Sequence, residues 1–88
     1  MIVRFLIKGR VQKVGYRHFV ITKAEIVSIH GMIRNLKDGN VELFLEGDEA
    51  RISLMYNFCL KGPMFARVDD IEKEIAKDFP LSDDYITF

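Results

Sequence analysis

One cysteine, two prolines and no tryptophan occur in these 88 residues, and no apolar run approaches the length of a membrane span. A lone cysteine, Cys59, excludes an internal disulfide. Between Phe58 and Leu60 it reads as a buried structural thiol, because free cysteine is among the residues most often found inside. A bilayer-crossing helix needs about 20 apolar residues, so no membrane contact is expected. The apolar start, Met1–Ile7, is too short for a secretory leader and is soon followed by Lys8 and Arg10. The cytoplasm is therefore the expected compartment. Two histidines, His18 and His30, without a companion acid or cysteine make a poor metal site. His18 reads as a surface or helix-terminal residue. Asp69-Asp70 and Asp83-Asp84 read as solvated acidic turns. Neither a metal nor another cofactor is expected.

What is present is the composition of an ordinary globular protein, 49% apolar and 30% charged. A chain of this length makes a single domain, residues 1–88, that buries roughly 60–70% of its unfolded surface. The net charge of zero conceals an asymmetry: residues 1–37 hold eight Lys or Arg against one acid, Glu25, and residues 38–88 hold five against twelve acids. A basic half can bind anions, or it can pair with the acidic half in space.

Ile2–Ile7 has the β-branched and aromatic content of a strand, ended by Gly9. From His18 the pattern turns helical, with Val20, Ala24 and Val27 on one face and Gly31 as the expected stop. Ile33–Leu36 and Val41–Leu45 read as strands around Asp38-Gly39-Asn40, a hairpin signal. Asp48 is an N-cap candidate. The helix it opens places Ile52, Met55 and Cys59 on one face and ends at Gly62-Pro63. Phe65–Ile71 reads as a strand, the charged stretch from Asp69 to Lys77 as a solvated edge, and Tyr85–Phe88 as a short terminal strand. The order β-α-β-β-α-β predicts an α+β, ferredoxin-like split βαβ sandwich, with both helices on one face of an antiparallel sheet.

Two segments carry the chemistry. Gly9-Arg10-Val11-Gln12-Lys13-Val14-Gly15-Tyr16-Arg17 leaves a strand and enters a helix. A helix N-terminus offers backbone N–H groups with no intrahelical partner, and its dipole favours an anion. Glycines permit the backbone angles of such a cradle, and Arg17 can add a bidentate charge-assisted pair. The same features also fit a plain strand–helix connection. The second segment runs from Gly31 to Gly39. Its Asn35 can hold a water through its amide, or can simply precede the hairpin turn.

Together the two segments resemble those of the acylphosphatase family. That family's first motif runs roughly G-x-V-Q-G-V-x-F-R and its second roughly G-W-V-x-N-x-x-D-G-x-V-E. The second is matched here by Gly31-Met32-Ile33-Arg34-Asn35-Leu36-Lys37-Asp38-Gly39-Asn40-Val41-Glu42. Glu46-Gly47-Asp48 and Gly62-Pro63 extend the likeness over about residues 3 to 71. Lys13 stands in place of a glycine, Tyr16 in place of phenylalanine and Met32 in place of an aromatic residue. The resemblance implies metal-free hydrolysis of acyl phosphates to a carboxylate and inorganic phosphate. It implies that Arg17 and the loop Gln12, Lys13, Val14, Gly15 and Tyr16 hold the phosphoryl group, and that Asn35 positions the attacking water. Such a protein would act as a monomer without nucleic acid. Two other readings remain: a non-catalytic phosphate-binding or regulatory module, and a ferredoxin-like RNA-binding domain.

Overall fold

The computed structural model describes all residues from Met1 to Phe88. Along the chain run β1 (Ile2–Arg10), α1 (Tyr16–Val27), β2 (His30–Asn35), β3 (Val41–Glu46), α2 (Glu49–Lys61), β4 (Arg67–Ala76) and β5 (Ile86–Thr87). They build one five-stranded sheet in the order β4-β1-β3-β2-β5, antiparallel throughout. Because side chains alternate along a strand, Val3, Phe5 and Ile7 of β1 share a face with Val41, Leu43 and Leu45 of β3. Val20 and Ala24 of α1 and Ile52, Met55 and Cys59 of α2 pack onto that face, and all are fully buried. The ferredoxin-like α+β fold expected from the element order is the one observed, with β5 added outside β2.

Several local expectations need correction. Gly31 does not stop α1; it lies within β2, where a Cβ would fall 1.9 Å from the Phe44 carbonyl oxygen of the neighbouring strand. The helix ends three residues earlier. Ser28 adopts the left-handed conformation (φ 62°), and the Ser28 and Ile29 N–H groups donate to Glu25 O and Ala24 O, a Schellman closure with serine at the position glycine usually takes. The fourth strand starts at Arg67 rather than Phe65, and the charged stretch is its continuation to Ala76. Asp69-Asp70 therefore lies on a strand instead of a turn. Charge along this outermost strand discourages edge-to-edge pairing. The terminal strand is two residues long. In the sheet β3 separates β1 from β2, with Val41 opposite both Ile7 and Asn35.

The face away from the helices carries ions instead of a core. Glu42, 5% exposed, is the one charged residue in the buried set. It accepts hydrogen bonds from Arg4 Nε at 2.6 Å, Arg34 Nε at 2.7 Å and the Tyr85 hydroxyl. Tyr85 also sets its ring edge-on to Phe44 and beneath the Arg34 guanidinium. Thus the segment leading to β5 crosses the open face and is fastened there. Burial alone would raise the Glu42 carboxyl, but the bonds from Tyr85, Arg4 and Arg34 outweigh it and hold the group below its ordinary 4.5. Burial and the bond to Glu42 push the Tyr85 phenol up to about 12.

A depressed carboxyl favours folding fully above its unfolded pKa, and the contribution disappears as pH falls through the lower folded value. Glu42→Gln should therefore cost about 1–2 kcal/mol at neutral pH and flatten the fall in stability below pH ~4.5. Denaturant melts of both proteins at neutral and acid pH check this; an unchanged acid limb would contradict it.

Candidate active site

The two helices begin in opposite ways. The start of α2 is capped: Asp48 Oδ1 accepts from the Arg51 N–H at 2.9 Å, and Glu49 occupies the first turn. The start of α1 is bare. Its N-cap is Gly15 in a left-handed conformation (φ 77°), with no side-chain bond and no acid in the first turn. The first local bond into the helix is from Phe19 N–H to Gly15 O. The N–H groups of Tyr16, Arg17 and His18 precede it and have no partner within the chain. In the preceding loop Lys13 also has positive φ, 61°. Left-handed residues on either side of Val14 curve the backbone into a concave nest of N–H groups.

Arg17 sits half-buried at this junction. Four of the six arginines, Arg4, Arg34, Arg51 and Arg67, pair with carboxylates; Arg17 does not. Across β3, the end of β2 brings in Asn35. Its Oδ1 is buried without a hydrogen-bond partner, a condition that costs about 1–3 kcal/mol. A turn residue would spend its amide on the hairpin, but there Asp38 does that work, accepting from the Asn40 backbone N–H at 3.0 Å. Lys13, Gly15, Tyr16, Arg17 and Asn35 line one pocket of about 200 Å³, joined by Val11 and His18. A larger groove of about 390 Å³ between α2 and β4, lined by Ser53, Tyr56, Asn57, Ile71 and Lys73, contains no motif residue.

Gln12 and Val14 do not line the pocket. Val14 packs against the core, and the Gln12 side chain turns to the β2–β3 hairpin, donating to Leu36 O at 2.7 Å and Asn40 O at 2.8 Å. The family resemblance implies backbone donors from Gln12 to Tyr16 and gives the Gln12 side chain no role. Val11 was legible in hindsight, since it extends the inward alternation of Phe5 and Ile7. His18 is helix-terminal, as expected, and is also exposed at the pocket rim.

The Tyr16 hydroxyl has a clear task. It donates to Cys59 O at 2.7 Å. In α2 that carbonyl would receive the N–H four residues on, but residue 63 is proline and has none. Tyr16 replaces the missing donor and ties the first residue of α1 to the end of α2. Burial keeps its phenol neutral far above the ordinary range. Burial also pushes the Cys59 thiol up to about 12, which leaves it inert as a nucleophile.

Comparison with known proteins decides the family. The acylphosphatase family model matches residues 3–85. The chain belongs to the acylphosphatase family. It is 44% identical over 77 residues to an acylphosphatase of Rhodopseudomonas palustris, covering 88% of this chain and 78% of that one. An acylphosphatase of Deinococcus radiodurans is 37% identical over 81 residues, with 92% and 93% covered. The crystal structure of acylphosphatase from Bacillus subtilis superimposes with a TM-score of 0.83 at 32% identity, covering 90% of this chain and 89% of that one. The match continues past residue 71 to the segment that ends in Tyr85.

Tyr16→Phe, which restores the family's usual residue, should leave the Cys59 carbonyl without a donor. We expect a loss of about 1 kcal/mol, seen as a melting temperature about 4–8 °C lower. An equal or higher melting temperature would show that the bond contributes nothing net.

Proposed function

We propose that the protein hydrolyses acyl phosphates, with Arg17 and the Gln12–Tyr16 backbone holding the phosphoryl group and Asn35 positioning water. The observation that carries this assignment is the convergence, in one pocket, of an uncapped helix N-terminus, an arginine without a carboxylate partner and an amide oxygen without a donor. In the reaction the water oxygen bonds to phosphorus and the bond from phosphorus to the carboxyl oxygen breaks. Carboxylate leaves with the bonding electrons, and the water's protons remain on the phosphate, giving dihydrogen phosphate from a dianionic substrate. A carboxylate of pKa about 4 needs no proton to depart. The loose transition state asks mainly for positioning and charge stabilisation, the two things this pocket offers.

An RNA-binding role would use the open sheet face. That face carries Glu42, Glu46, Glu72 and Glu74 and is crossed by Tyr85, which favours the phosphatase reading over a polyanion platform. The charged outer strand and the single buried cysteine support a monomer in the reducing cytoplasm. Hydrolysis of a simple acyl phosphate with a metal chelator present distinguishes an enzyme from a phosphate-binding module.

Arg17→Ala should weaken competitive inhibition by inorganic phosphate about 100-fold and lower kcat/KM at least as far, through lost charge-assisted bonds. Asn35→Ala should lower kcat strongly and leave phosphate inhibition nearly unchanged. If both constants collapse in Asn35→Ala, the amide is a phosphate ligand or a structural residue rather than a water holder.

Lys13 pays for its left-handed conformation with about 1–2 kcal/mol, which glycine would relieve. Its ammonium in return attracts the dianion, an effect salt screens. Lys13→Gly should melt at a higher temperature, remain active and show a KM less sensitive to ionic strength than the parent. Equal salt dependence would make Lys13 a surface filler.

A further inference from the structure

We infer that Gln12 is a positioning residue: its side chain sets the distance between the phosphate loop and the water-holding amide, and so governs turnover rather than phosphate affinity. The inference rests on the roles proposed above for the loop and Asn35. Its ground is how the two halves of the pocket are joined. Asn35 reaches the pocket from β2, and β3 lies between β2 and the strand that leads into the loop. No backbone bond outside the regular elements connects residues 11–15 with the hairpin 36–40. The two bonds from Gln12 Nε2 are the only hydrogen bonds that do.

The acceptors are well chosen for that task. Leu36 directly follows Asn35, and its carbonyl already receives Gly39 N–H. The Asn40 carbonyl already receives Leu36 N–H. Gln12 takes the second acceptor site on each of the two carbonyls that close the hairpin. An amide NH₂ has two hydrogens, so both are committed and the orientation is forced, because the reversed amide would set oxygen against two oxygens. At the other end Gln12 adjoins Lys13, whose left-handed backbone begins the nest. Its side chain is thus a two-point strut from the hairpin closing pair to the first residue of the anion cradle. A misplacement of about 1 Å between reacting groups is enough to cost about 10²-fold in rate.

Two variants test this. Gln12→Met keeps length and bulk but cannot donate. We expect kcat for a simple acyl phosphate to fall about 10- to 100-fold while the inhibition constant of inorganic phosphate changes less than about 3-fold. Gln12→Glu is the sharper case. Its ionised carboxylate would face two carbonyls, whereas the protonated acid can donate to one of them. Its kcat relative to the parent should therefore rise as pH falls, a recovery that Gln12→Met cannot show. The charged groups at that end are Arg10, Lys13, Arg17 and His18 on the loop side and Lys37 and Asp38 in the hairpin; measuring the ratio to the parent at each pH removes their own titration.

Thermal melts of each variant identify a purely structural tie. A lower melting temperature with parental kcat in the folded protein would overturn the proposal, as would equal losses of rate and phosphate affinity. A Glu variant whose ratio to the parent is flat with pH would overturn it too. A parent without acyl phosphate hydrolysis would instead remove the reaction on which the inference rests, and the inference with it.

Discussion

A helix that starts without a cap leaves backbone donors that some other group has to satisfy, and the rest of the site is arranged around that start. At α1 the usual remedies are missing: Gly15 has no side chain to turn back, and no acid lies in the first turn. The exposed ends of several peptide dipoles remain directed at one point. Lys13 and Arg17 add charge of the same sign around it. Such an assembly is unfavourable for the protein by itself and becomes favourable when an anion is present, as strain concentrated at functional sites commonly is.

The remainder of the molecule avoids these costs. The second helix is capped by Asp48, the open sheet face neutralises Arg4 and Arg34 with Glu42, and Glu72 and Glu74 of β4 pair with Lys8 and Arg4 of β1. The charge asymmetry along the sequence is thereby partly resolved: Arg4, Lys8 and Arg34 of the basic half pair with acids of the other half, and Lys13 and Arg17 stand without an acid at the loop before α1. The bond from Tyr16 to Cys59 secures the bare helix start from beneath. It does so without occupying any of the donors that face the pocket.

Much of this was legible in the sequence, and the reasons for the rest are local. Strong periodic elements were readable because their buried residues obey spacing: Val3, Phe5 and Ile7 in the first strand, Ile52, Met55 and Cys59 in the second helix. The end of α1 was not, because Ser28 takes a left-handed turn that glycine advertises and serine does not. The length of β4 was hidden since an edge strand needs little apolar content. The interposition of β3 between β1 and β2 was not legible either, as local pattern does not say which strand intervenes. The site motifs marked Arg17, Asn35 and the loop, but the Gln12 strut depends on carbonyls 24 and 28 residues away, a relation no local spacing encodes.

We propose that phosphate binds to the unpartnered N–H groups at the start of α1. Titrating the ¹⁵N-labelled protein with inorganic phosphate and following amide resonances tests it most directly. The largest saturable shifts should fall on residues 13–18, with a single dissociation constant equal to the kinetic inhibition constant. Shifts centred instead on the groove between α2 and β4, or none in the loop at saturation, would contradict it.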